Sequence, residues 1–176
     1  MGEDFFYLLV LIGPLVIPGV IVLGIVAALV VRRKEVENYQ VEQESESYRE
    51  IVIRSVKIYL FVFGLTMLGA GFEPLINAYL LDLDAKILYW INILSAVLDN
   101  ATLAAAEISP AMTPDTVEAI LMGLIVAGGM LIPGNIPNII SAGKLNITSK
   151  EWAKIGLPMG FVLLIIYFII LILMGL

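Results

Sequence analysis

From Phe5 to Val31 the chain runs for 27 residues without a single charge, until Arg32, Arg33 and Lys34 end the run. A helix rises about 1.5 Å per residue, so this stretch exceeds the roughly 30 Å of a bilayer's hydrocarbon core. No water is available there to pair with the backbone, and a chain that crosses must do so as a helix or in a closed barrel. The run is too long for the core of a signal peptide and no basic residue precedes it, so it is expected to stay as a span. Gly13-Pro14 and Pro18-Gly19 inside it predict a kink.

Composition points the same way: 60% of the residues are hydrophobic and 15% charged, with a mean hydropathy of +0.99. There is no cysteine and no histidine. A disulfide framework, a thiolate metal site and a thiol nucleophile are excluded, and the commonest general base is missing, so an enzyme is not expected. The net charge of -6 comes largely from acids concentrated between Glu35 and Glu50 and at segment ends. No acidic or basic face results, and nucleic acid is not expected as a partner.

Residues 32–57 hold six Lys/Arg and six Glu and read as a charged connector, helical where Glu46 and Glu50 face Arg49 and Arg54. The rest, 58–176, reads as one module. A second span, 58–81, contains Gly69-Ala70-Gly71 and Glu73-Pro74. The stretch 85–112 is apolar and rich in small residues but carries Ser95, Asp99, Asn100, Thr102 and Glu107, and is expected to be a re-entrant helical hairpin. Thr113 and Glu118 suggest the start of the next helix. A span over 117–143 is broken at Gly128-Gly129 and at Pro133-Gly134-Asn135-Ile136-Pro137-Asn138, and a last span covers 155–176. Trp90, Trp152, Tyr79 and Tyr89 read as anchors at the lipid interface, and the pairs Gly69/Gly71 and Gly128/Gly129 as places of close helix approach.

Basic residues fix the expected orientation. Nine of the ten Lys and Arg fall in 32–57 and 144–154, and both loops lie in the cytoplasm if 85–112 enters and leaves on one side. Both termini are then outside, in a multi-pass protein of the cell membrane. A full crossing by this stretch would put the two loops on opposite faces and lose the bias.

Two constellations carry the functional expectation. An ionised Asp at membrane depth costs at least about 2.5 to 3.5 kcal/mol, so Asp99, beside Ser95, Asn100 and Thr102, asks for an ion or a proton. The alternative is a shallow hairpin tip at which Asp99 only caps the second helix. Pro133 and Pro137 remove two backbone donors and free carbonyls, which lipid tolerates only where they line a polar cavity or meet an ion. Asn135, Asn138 and Ser141 add neutral oxygens and amides there. Discontinuous helices of this kind mark the midplane sites of transporters. Glu73 and Glu107 are weaker candidates.

At these two stretches the chain resembles the ion transporter superfamily of arsenite permeases, D-type sodium/proton antiporters and dicarboxylate/sodium symporters. Ser95-Ala96-Val97-Leu98-Asp99-Asn100 looks like the hairpin motif of the antiporters. Gly128-Gly129 through Ile140, then Asn146 to Trp152 and Gly156-Leu157-Pro158, look like the broken helix and the entry to the last span. The nearest likeness is an uncharacterised prokaryotic family of cation-transporter type. The resemblance implies an all-α fold of two inverted repeats, often in a homodimer, of which this chain holds one. It looks like the C-terminal repeat, about four transmembrane helices plus the hairpin, with the other repeat on a second polypeptide or upstream. The expected function is sodium/proton exchange, with Asp99 alternating between ion and proton and Asn100, Asn135 and Asn138 completing the shell. A monovalent cation at Asp99 is the only metal expected, and no resident cofactor. Competing expectations are a cation-coupled dicarboxylate or arsenite transporter and a membrane assembly subunit that transports nothing.

Overall fold

The computed structural model describes residues 5–30, 47–80 and 82–176. Several side chains between 50 and 77, those of Glu50, Arg54 and Glu73 included, lie outside the described ones, as do Glu46 and the greater part of the expected connector. All regular structure among the described residues is helical. The chain divides into two units, Gly2–Phe61 and Val62–Leu176.

In the first unit α1 (Phe5–Val30) stays helical through Pro14 and Pro18. Its apolar side chains, such as Val10, Val20 and Leu29, are turned outward. The second helix, α2 (Tyr48–Tyr79), starts well before Ile58 and continues through Pro74, so part of the charged connector belongs to the same helix as the expected span.

The second unit continues with α3 (Ala85–Ile91), a 3-10 turn (Asn92–Ala96), α4 (Asn100–Glu107), α5 (Pro114–Gly128), a second 3-10 turn (Ile132–Gly134), α6 (Ile136–Leu145) and α7 (Ser149–Met174). Side-chain caps set the starts of four of these helices. Asp84 accepts from the Lys86 N–H at 2.8 Å and Asp99 from the Thr102 N–H at 2.9 Å. Thr113 accepts from the Thr116 N–H, with Pro114 opening α5, and Thr148 and Glu151 cap one another in a reciprocal box at the head of α7. The C-terminal ends of α6 and α7 use left-handed residues, Asn146 at φ 53° and Gly175 at φ 116°.

At the centre stands α5, with α3, α4, the first 3-10 turn and α7 packed around it. Leu88, Ile120 and Leu124 form its buried heart, joined by Leu80, Leu83, Leu103, Ala104, Ile108 and Met112. On the other side Tyr89 is fully buried and donates its hydroxyl to Leu164 O at 2.7 Å, so it does not serve as an interface anchor. Its ring lies 5.3 Å from that of Phe168, centroid to centroid.

Two helices, Phe6–Leu29 and Ser149–Met174, are long and apolar enough to cross a membrane. Where lipid surrounds a bundle there is little hydrophobic drive between helices, and close backbone approach takes over. A Cβ on Gly123 would stand 2.6 Å from Tyr89 O and 3.1 Å from Asn92 Cβ. On α7 a Cβ on Gly156 would run into Met130 O, and one on Gly160 into the Met130 side chain. Gly71, by contrast, has nothing within 4 Å of that position. Gly123→Ala should therefore cost about 1 to 3 kcal/mol through overpacking, read as a lower Tm of the protein in detergent. Gly71→Ala in the same assay should leave the Tm unchanged or slightly raised.

Candidate functional site at the turn and the helix break

The turn between the first 3-10 segment and α4 meets the break between α5 and α6. Backbone glycine makes the meeting possible. The carbonyl oxygens of Ser95, Ala96 and Gly128 crowd the Cα of Gly134, with Gly128 O 2.7 Å and Ala96 O 3.1 Å from where a Cβ would stand. Around Gly128 the same position lies 3.0 Å from Asn100 Nδ2, 3.1 Å from Gly134 O and 3.2 Å from Ser95 Oγ. Ser95 and Ala96 close a 3-10 turn and Gly128 closes α5, so two carbonyl-rich C-terminal ends converge, an arrangement with a negative field.

Between Gly128 and Ile136 the chain leaves the helix. Leu131 and Asn135 are extended, at φ -130° and -158°. Gly134 N–H turns back to Leu131 O at 3.3 Å. The carbonyls set free by the break find side-chain donors. Asn138 Nδ2 reaches Gly128 O at 2.9 Å and Leu131 O at 3.2 Å, and Trp152 Nε1 reaches Gly129 O at 3.2 Å. Trp152 thus closes the break from α7, a role that the sequence reading as an interface anchor missed.

Ser95 is fully buried and donates to Leu124 O at 3.0 Å. Asp99 is half-buried, and its Oδ2 accepts from both the N–H and the hydroxyl of Thr102, at 2.9 and 3.0 Å. Both bonds fall on Oδ2 and leave Oδ1 outside the cap. Asn135 is half-buried at the N-cap of α6, where its carbonyl, not its side chain, accepts from the N–H groups of Asn138 and Ile139. Ser141 is exposed on α6 and lies outside the junction. Glu73 belongs to α2, with its side chain outside the described ones. Glu107, at the end of α4, has a buried Oε2 with no partner, as does Asn92 at its Oδ1. Asn92 was not singled out from the sequence, although it sits in the same polar-studded apolar stretch.

Among the described residues no three acidic side chains gather in a way that could hold a metal ion. A cavity of about 150 Å³ lies elsewhere, between the start of α5 and the end of α7, lined by Asp115, Glu118 and Leu171.

The described residues thus define an all-helical protein with two helices able to cross a bilayer and a polar junction of helix ends. Residues 1–174 match the family model described as protein of unknown function DUF1646, and the chain belongs to that family. No curated protein and no solved structure matches it.

Asn138→Ala should unlock the break. It strands Gly128 O, while Leu131 O keeps the Gly134 N–H, and a buried carbonyl left unpaired costs about 1 to 3 kcal/mol. The Tm in detergent should fall accordingly, and Asn138→Asp should not restore it, since a carboxylate has no N–H to give.

Proposed function

We propose that this chain is one repeat of a secondary active ion transporter of the ion transporter superfamily, exchanging sodium for protons across the cell membrane. In this reading the segment 85–112 is a re-entrant hairpin whose tip is Val97–Asp99, and α5 and α6 are the halves of a discontinuous span. With α1, α2 and α7 they place both termini outside and the two basic loops in the cytoplasm. A second repeat on another chain or upstream, and a dimer, complete the assembly.

One observation supports the reading: the turn before α4 and the helix break, far apart in sequence, meet so closely that only glycine fits between the carbonyls of Ser95, Ala96 and Gly128. Carbonyl ends favour a cation, and Asp99 adds a carboxylate whose Oδ1 is free of the cap. Ser95, Asn100, Asn135 and Asn138 surround the junction, and Thr102 holds Asp99 in its rotamer.

A reading without transport has its own support, because Asp99 caps α4 and Asn138 satisfies the break through local hydrogen bonds. A cation-coupled anion transporter would instead use the N-terminal ends of α4 and α6, which begin beside the same junction. One experiment separates the three. Vesicles containing the protein as purified from its native membrane, loaded with a pH-sensitive dye, should acidify or alkalinise on a sodium jump. Asp99→Asn keeps a good N-cap and so keeps the helix start, but removes the charge. It should lower the sodium-dependent flux at least about tenfold, equivalent to about 1.4 kcal/mol or more. Unchanged flux in the variant sinks the assignment, and flux that requires dicarboxylate or arsenite selects the anion reading.

A further inference from the structure

Two main-chain oxygens at the junction lack a donor. Ser95 is fully buried and Ala96 nearly so. The N–H groups of Val97 and Leu98 both return to Leu94 O, each at 3.0 Å, and pass over the two residues that follow it. No other described residue donates to Ser95 O or Ala96 O, and the Ser95 hydroxyl is itself committed to Leu124 O. Buried carbonyls without an N–H partner call for a water or an ion.

What faces them is Gly134. Its Cα is crowded by both oxygens and by Gly128 O, with Ala96 O 3.1 Å and Gly128 O 2.7 Å from where a Cβ would stand. A Cα–H is a weak donor, and of the three oxygens Gly128 O alone has a better one, Asn138 Nδ2 at 2.9 Å. Three carbonyl dipoles thus turn their negative ends toward one nearly neutral group. A dehydrated cation answers them far better, since carbonyl oxygens can replace the water shell of a monovalent ion. A divalent ion is the poorer occupant: it favours carboxylates, and no three acids gather among the described residues.

We propose that the main-chain oxygens of Ser95 and Ala96 are cation ligands and that Gly134 holds the ion's place in the ion-free protein, so that a monovalent cation enters only as Gly134 withdraws. Ion and glycine compete for the same oxygens. The turn before α4 therefore parts from the break when the ion binds and closes on it when the ion leaves. This adds a ligand set and a moving part to the carboxylate of Asp99, whose Oδ2 stays with Thr102. It rests on the ion-transport reading for the presence of a cation at the junction.

Gly134→Ala tests the competition. The added methyl meets Ser95 O and Gly128 O and disfavours the closed junction, whereas the ion-bound junction has already given up that contact. Without sodium, the full-length variant in lipid nanodiscs should have a lower Tm than the wild type. It should nonetheless need at least about threefold less sodium for the half-maximal rise in Tm, because its binding-competent fraction is larger. A glycine that serves close packing alone gives a lower Tm with an equal or higher sodium requirement, and that result overturns the proposal. A distance measurement decides the matter should the variant not fold. The chain has no cysteine, so spin labels on Leu98→Cys and Ile136→Cys, both exposed positions, report the separation of turn and break. Sodium chloride should lengthen it, and choline chloride at equal ionic strength should not. A Tm that rises with sodium while the distance stays fixed overturns the competition and leaves the ion reading standing. Sodium that moves neither Tm nor distance removes both.

Discussion

A helix that stops and restarts inside an apolar bundle abandons carbonyls that nothing apolar can satisfy, and the second unit of this protein is built around meeting that demand. Asn138 takes two of them and Trp152 a third. Both donors come from helices that follow the break, so α6 and α7 close the gap left by α5. The prolines that cause the break also make its repair local, since Pro137 stands beside the asparagine that does the repairing. If the donors were lost, α5 would have no defined end and the glycine contacts with the turn would have no fixed partner.

Glycine supplies the second half of the design. Gly123, Gly128, Gly134, Gly156 and Gly160 each stand where a side chain would strike backbone or a buried neighbour. They bring α3 to α5, the turn to the break, and α7 to Met130 just beyond α5, at close range. In lipid this closeness, together with hydrogen bonds between helices, substitutes for the hydrophobic drive available in water. It also explains why Asn92 can be sealed off almost completely: α5 lies against it through Gly123.

How much of this is written in the sequence depends on whether a feature is local. Pro133 and Pro137 announce the break, because proline has no N–H wherever it stands. Asp99 followed by Thr102 announces a helix start, the shallow-tip alternative to ion binding, and the cap is found there. Tyr89 is different. An aromatic with a polar tip reads as an interface anchor until the partner at Leu164, far along the chain, is known. The glycine pairs were half legible: Gly128 makes a close approach, Gly71 touches nothing, and Gly123 and Gly160 matter through neighbours that no local pattern reveals. Ser141 shows the converse, since its spacing from Asn138 suggests proximity that its outward face on α6 denies.

The bond from Tyr89 to Leu164 has a mechanical meaning. A main-chain carbonyl has two lone pairs, so Leu164 can serve the ladder of α7 with one and the phenol with the other. The rod is moored near its midpoint without losing a rung. Any tilt of α7 therefore pivots there like a seesaw, swinging Gly156 and Gly160 against Met130 as Leu171 swings the opposite way.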